Sequence, residues 1–162
     1  MGNIVKIVKI FLIFHVLICT FQANAFAQNK NNNIQVAGTG SGFTLSSASN
    51  LENAQTVSNA ITVTVQSKNN KCSIYAEVSS MSTTTGTPMP ASMLALQLSS
   101  VSPPMSANFN AVPLSQTNQL LFQSSSSFSQ ENLVYNLILG PVGYSYAAGA
   151  YTFNLLFTMT QP

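Results

Sequence analysis

The chain has 162 residues, a formal charge of +2 and only 5% Asp, Glu, Lys and Arg, against a hydrophobic share of 46%. So apolar a composition supports a packed core and argues against disorder. The small positive balance comes from Lys6 and Lys9 near the N-terminus, which removes the electrostatic case for nucleic acid or an anionic membrane as a partner.

The opening MGNIVKIVKIFLIFHVLICTFQANAFAQ places those two lysines ahead of an apolar run from Ile10 to Phe21. The run is too short to span a membrane comfortably and reads as the helix of a secretory signal peptide. Small residues at Ala23, Ala25 and Ala27 permit cleavage after Ala25 or Ala27, and residues 1–27 are expected to leave. A rival processing route would acylate Cys19, but Ile18 precedes it where a small residue is expected and the apolar run continues beyond it.

Leader removal takes Cys19, His15, Lys6 and Lys9 away. What remains holds Lys30, Lys68 and Lys71 against Glu52, Glu77 and Glu131, with no Arg, Asp, His or Trp. The secreted part is therefore formally neutral, and its length suits one domain. Cys72 is its single cysteine, so no intrachain disulfide is available and packing must supply the stability. In phase with Ile74, Ala76 and Val78, Cys72 reads as a small buried hydrophobe.

Residues 28–42, QNKNNNIQVAGTGSG, form an Asn- and Gly-rich stretch expected to be a flexible arm or an irregular first strand. The β-sandwich domain is expected over 43–162. Within it "NAITVTVQS" sets Ile61, Val63 and Val65 against Thr62, Thr64 and Gln66, the alternation of a half-buried strand. "KNNK", residues 68–71, is a polar turn, and "CSIYAEVSS" resumes the alternation, so the pair is expected to form a hairpin.

"SMLALQLSS" places Leu94, Leu96 and Leu98 on one side. Its residues favour helix individually, but strict alternation between Pro88, Pro90, Pro103 and Pro104 favours a strand. "NFNAVPLS" reads as an irregular edge because Pro113 lacks a ladder donor, and "NQLLFQS" as a short strand. "ENLVYNLILG" alternates Leu133, Tyr135, Leu137 and Leu139 before Gly140 and Pro141 stop it. The last segment alternates Tyr151, Phe153, Leu155, Phe157 and Met159 against Thr152, Asn154, Leu156, Thr158 and Thr160. So apolar a strand is expected inside a sheet.

Seven or eight such strands predict an all-β, antiparallel, immunoglobulin-like β-sandwich behind a signal-peptide helix. A lipid-facing barrel would also alternate, but most runs here are shorter than its strands of about 9–11 residues and are interrupted by proline.

From about residue 57 onward, "ITVTVQSKNN", "PMPASML" and above all "YSYAAGAYTFNLLFTMTQP" resemble a group of small exported, largely uncharacterised bacterial β-sandwich proteins with a G-x-Y-T terminal strand. That plan is distantly similar to fimbrial and spore-coat-like subunits, and the resemblance implies polymerisation. It carries no functional residues.

Without His, Asp or Arg the secreted part has no Ser-His-Asp or Cys-His nucleophile and no usual metal or phosphoryl-transfer set. Glu52, Glu77 and Glu131 read as solvated surface carboxylates. The expectation is a non-enzymatic structural protein, secreted or on the cell surface, without cofactor, catalytic residue, metal or membrane span after processing. Its expected partners are copies of itself or other surface proteins. The alternative is an adhesive or carbohydrate-binding module whose stacking faces are Tyr144, Tyr146 and Tyr151 around the 140–151 turn.

Overall fold

In Ile61-Thr62-Val63-Thr64-Val65 the apolar side chains are buried and the threonines half-buried, so alternation translates directly into one inward and one outward face. A computed structural model describes residues 14–16, 32–38, 42–68 and 71–161. Its elements are β1 (Phe14–Val16), β2 (Asn32–Gly38), β3 (Phe43–Leu45), α1 (Ala48–Glu52), β4 (Gln55–Ser67), β5 (Cys72–Thr83), a short 3₁₀ turn (Ala91–Met93), β6 (Leu94–Ser102), β7 (Ala111–Pro113), β8 (Gln119–Ser124), β9 (Phe128–Leu139) and β10 (Ala150–Thr160).

The strands form two five-stranded sheets, ordered β3-β1-β10-β5-β8 and β2-β4-β9-β6-β7. All pairings are antiparallel except β1 with β10, which is parallel. This is the all-β sandwich that the alternation predicts. The inner faces meet in one core that includes Val63, Val65, Ile74, Leu96, Leu133, Leu137, Phe153 and Leu155.

Ten strands are described rather than seven or eight, because β1 and β3 have three residues each and are too short to show a period. The rest of the leader, with the helix expected for it, lies outside the described residues. Part of the presumed arm is β2, paired with β4 from Asn32↔Ser67 to Gly38↔Ile61. Its Ile34 and Val36 are half-buried against the core, which gives an Asn-rich stretch enough apolar contact to pair.

The expected hairpin of residues 59–67 and 72–80 is corrected. β4 pairs with β2 and β9, whereas β5 pairs with β10 and β8, so the chain passes from one sheet to the other between the end of β4 and the start of β5. Among the described elements only β6 and β7 are both consecutive and paired. Alternation says which face of a strand is buried and is silent on whether the next strand lies beside it or across the core.

Beyond the sequence pattern there is a short helix, α1, whose first turn is capped by Ser47, the hydroxyl accepting from the Asn50 N–H at 3.2 Å. A bulge bends β4 between Val57 and Ile61. There Asn59 adopts φ 53, a conformation that asparagine tolerates better than most residues. Its N–H donates to Asn136 Oδ1 at 2.9 Å and its Oδ1 accepts from Ser99 Oγ at 3.0 Å, so the bulge is held by the neighbouring β9 and by β6 beyond it.

The terminal strand β10 lies second from β3 in its sheet, interior in strand order as expected. Its two sides are unequal. Toward β5 it is paired from Tyr151↔Thr83 to Thr160↔Ser73, with one irregularity at Asn154/Leu155. On the other side β1 meets only Ala150 and Tyr151. Among the described residues no strand continues that ladder beyond Tyr151.

Candidate functional site

The segment between β9 and β10 holds Tyr144 and Tyr146, and the start of β10 holds Tyr151, the three tyrosines that the sequence singles out. Gly143 turns the chain with φ 64, a backbone state that glycine adopts without steric cost, and its N–H donates to the Leu51 carbonyl at 2.8 Å. Val142 is buried just before it. Gly149 closes the turn, and a Cβ there would collide with Thr85 Oγ1. The turn is thus fastened to α1 at one end and to the end of β5 at the other.

Tyr144 follows the Gly143 contact and stands 66% exposed, its hydroxyl donating to Glu52 Oε1 at 2.7 Å. Donation to that carboxylate, followed by minor burial and the charge of Glu52, holds the Tyr144 hydroxyl above its ordinary pKa. Tyr146 is half-buried and lies edge-on to Tyr151, with ring centroids 6.3 Å apart and planes at 85°, a favourable aromatic arrangement. Tyr151 is buried and donates to the Ala147 carbonyl at 2.6 Å. Burial is the main cause of its raised pKa.

The structure therefore divides the candidate stacking residues. Tyr146 and Tyr151 form a packed corner at the start of β10, with Tyr151 binding backbone four residues upstream in the manner of a tyrosine corner. Tyr144 alone of the three offers an exposed ring, beside the Glu52 carboxylate. A single exposed ring gives a sugar one stacking face.

Among the buried polar side chains is one carboxylate. Glu131 is corrected from a solvated carboxylate to a buried one, 6% exposed. In β9 it shares the inward phase of Leu133 and Tyr135, and it pairs in register with Val65. Its Oε2 has no hydrogen-bond partner among the described residues, and burial pushes its pKa up. The phase Glu131-Leu133-Tyr135 was the readable signal, and it outweighs the position of Glu131 near a strand end.

Cys72 is buried, as its phase implies. Burial raises its thiol pKa against the lowering effect of hydrogen bonds involving Ser67 and Ser124, which favours the unreactive thiol. Gln161 Nε2 donates to Ser67 Oγ at 3.0 Å and fastens the end of the chain to β4. Near this end an open hollow of ≈ 540 Å³ is lined by Lys71, Met105, Ser106 and Gln123 through Ser126. It offers one ammonium and several hydroxyls, and nothing on its wall activates a nucleophile.

Among the described residues no three His, Cys, Asp or Glu side chains come together, and no helix is long and apolar enough to cross a membrane. No protein-family model matches the chain, and no curated protein matches it.

Proposed function

We propose that the chain is an exported, non-enzymatic structural protein of a surface or matrix that associates with copies of itself through its sheet edges. One observation carries this reading: a two-sheet sandwich with open strand ends and almost no surface charge to keep copies apart. Of its described carboxylates Glu131 is buried and Glu52 is engaged by Tyr144, which leaves Glu77 half-buried on an outer face and Lys68 and Lys71 exposed. Strand edges without charge favour pairing with further strands, and low net charge favours association.

The test is sedimentation velocity on the chain recovered after export, with its N-terminus fixed by intact mass. Association that rises with protein concentration is expected. A monomer across the whole accessible range overturns the reading, and a mass retaining residues 1–27 overturns the expected processing.

The exposed Tyr144 ring beside Glu52 favours a second reading, carbohydrate binding at the 140–151 turn. Binding to a glycan array that disappears on Tyr144→Ala, with the far-ultraviolet spectrum unchanged, supports it. Binding that is absent, or indifferent to that change, removes it.

A further inference from the structure

We propose that copies of this chain stack head to tail: the Tyr144 and Glu52 end of one sandwich seats in the hollow beside Lys71 at the opposite end of the next, building an open filament. The inference rests on the self-association reading above. It goes beyond that reading by naming a contact at the strand ends, which pairing along the edges does not use.

Strand register fixes what lies at each end. The pairs Ser67↔Phe128, Cys72↔Ser124 and Ser73↔Thr160 put the close of β4, β8 and β10 beside the start of β9 and β5. Gln161 joins the two sheets there through its 3.0 Å bond to Ser67. Lys68 follows β4 directly, Lys71 precedes β5, and both are exposed. The pairs Gln55↔Leu139, Leu94↔Leu139 and Tyr151↔Thr83 mark the opposite end. There α1 and the turn after β9 meet, with Glu52 exposed and the Tyr144 hydroxyl donating to it at 2.7 Å. With 13 residues in β4 at about 3.3 Å each, the two ends stand about 40 Å apart.

Charge is divided between those ends. Among the described residues the lysines lie at one end and Glu52 at the other, with Glu77 partway along β5. Glu131 sits nearer the lysines, but it is buried, and burial disfavours its charged form. The Tyr144 hydroxyl orients the Glu52 carboxylate without cancelling its charge. Of the ways to join two sandwiches end to end, like ends together bring lysine to lysine or glutamate to glutamate. Head-to-tail contact sets opposite charges face to face.

The two ends also match in form. Tyr144 presents a ring that is 66% exposed, on a turn held through the Gly143 N–H to the Leu51 carbonyl. The hollow at the lysine end is open, measures ≈ 540 Å³ and has Lys71, Met105, Ser106 and Ser125 on its wall. Clefts that take whole small ligands measure about 300–1,000 Å³, so one ring has room there. Met105 brings a thioether to the ring and Lys71 an ammonium. The same ammonium pairs with Glu52 across the joint, and serine hydroxyls meet the phenol. A contact between two different surfaces leaves each copy with one of them unused, so assembly propagates. An end face five strands wide and two sheets thick covers about 500 Å² per copy, at the weak end of specific interfaces. Filaments are therefore expected only as protein concentration rises, and salt weakens them.

The test uses the exported chain with Glu52→Lys and Lys71→Glu, both at exposed positions where the monomer tolerates the change. Each substitution alone sets like charges across every joint and is expected to weaken association about tenfold in sedimentation velocity. Mixing the two variants, or combining both changes in one chain, puts opposite charges back at every joint and is expected to restore association.

Polarity is read with a short thiol cross-linker, which the buried Cys72 escapes. Ser145→Cys beside Tyr144 and Ser125→Cys on the wall of the hollow are both exposed sites. A chain carrying both is expected to give a ladder of linked multimers, and either alone none. If the charge variants leave association unchanged, if their mixture fails to restore it, or if Ser145→Cys alone links to itself, the head-to-tail joint is excluded and self-association through the edges stands. If the parent itself never associates, both readings fall.

Discussion

Removing one oxygen atom from the middle of the core should make this protein more stable. Tyr135 is 1% exposed, and its hydroxyl has no hydrogen-bond partner among the described residues. It sits on β9 at the centre of its sheet, in register with Ile61 of β4 and Leu98 of β6, and burial pushes its pKa far above the ordinary phenol value. In the unfolded chain the hydroxyl binds water, and folding strips that water without replacement. Such a loss costs about 1–3 kcal/mol. Tyr135→Phe abolishes the cost and leaves a void of about 10–15 Å³, which at about 24 cal/mol per Å³ returns only about 0.3 kcal/mol.

The net expectation is a gain of about 1 kcal/mol, and for a chain of this size a rise in Tm of about 3–5 °C. Urea unfolding of the exported chain, followed by far-ultraviolet circular dichroism at neutral pH, measures it. The midpoint should move up with the slope unchanged, because both variants bury the same surface. A midpoint lowered by an equivalent of about 1 kcal/mol would show that the hydroxyl is satisfied in solution, and the reasoning would fail.

Two other groups allow equally direct tests. Burial raises the pKa of Glu131 in the folded state, so the folded protein holds its proton more tightly than the unfolded chain does. The associated stability is full below the ordinary glutamate value of about 4.3 and is lost as pH rises through the raised folded value. Glu131→Gln should stabilise at neutral pH and flatten that slope in urea titrations run at several pH values; an unchanged slope assigns it to other groups. Cys72 should resist a thiol reagent in the native state and react on denaturation, since it is buried and its thiol pKa is raised. Rapid native labelling would contradict its placement.

Much of the fold could be read from residue order because a strand's inward face is a local property. The phases of Ile61-Val63-Val65, Leu94-Leu96-Leu98 and Tyr151-Phe153-Leu155 are all buried as their alternation implies. The same rule covered Glu131, whose phase with Leu133 places a carboxylate inside. Proximity to a strand end was the weaker guide. The composition of the turn could not sort its tyrosines by exposure. Tyr144 and Tyr151 differ in exposure because Gly143 and Glu52 are held by α1, whereas Ala147 curls back over Tyr151.

The sequence by itself determined the all-β class, the near-absence of charge, the lack of any histidine-based nucleophile in the expected secreted part, and which side of each long strand is buried. These depend on residue type and on a period of two. Tertiary structure alone decided that the chain passes between sheets after β4 instead of closing a hairpin with β5, that β2 and β4 pair, and that β10 lies between β1 and β5. Strand partnership joins residues far apart in the chain through main-chain groups common to every amino acid. The order of side chains therefore carries no local record of which strands lie side by side.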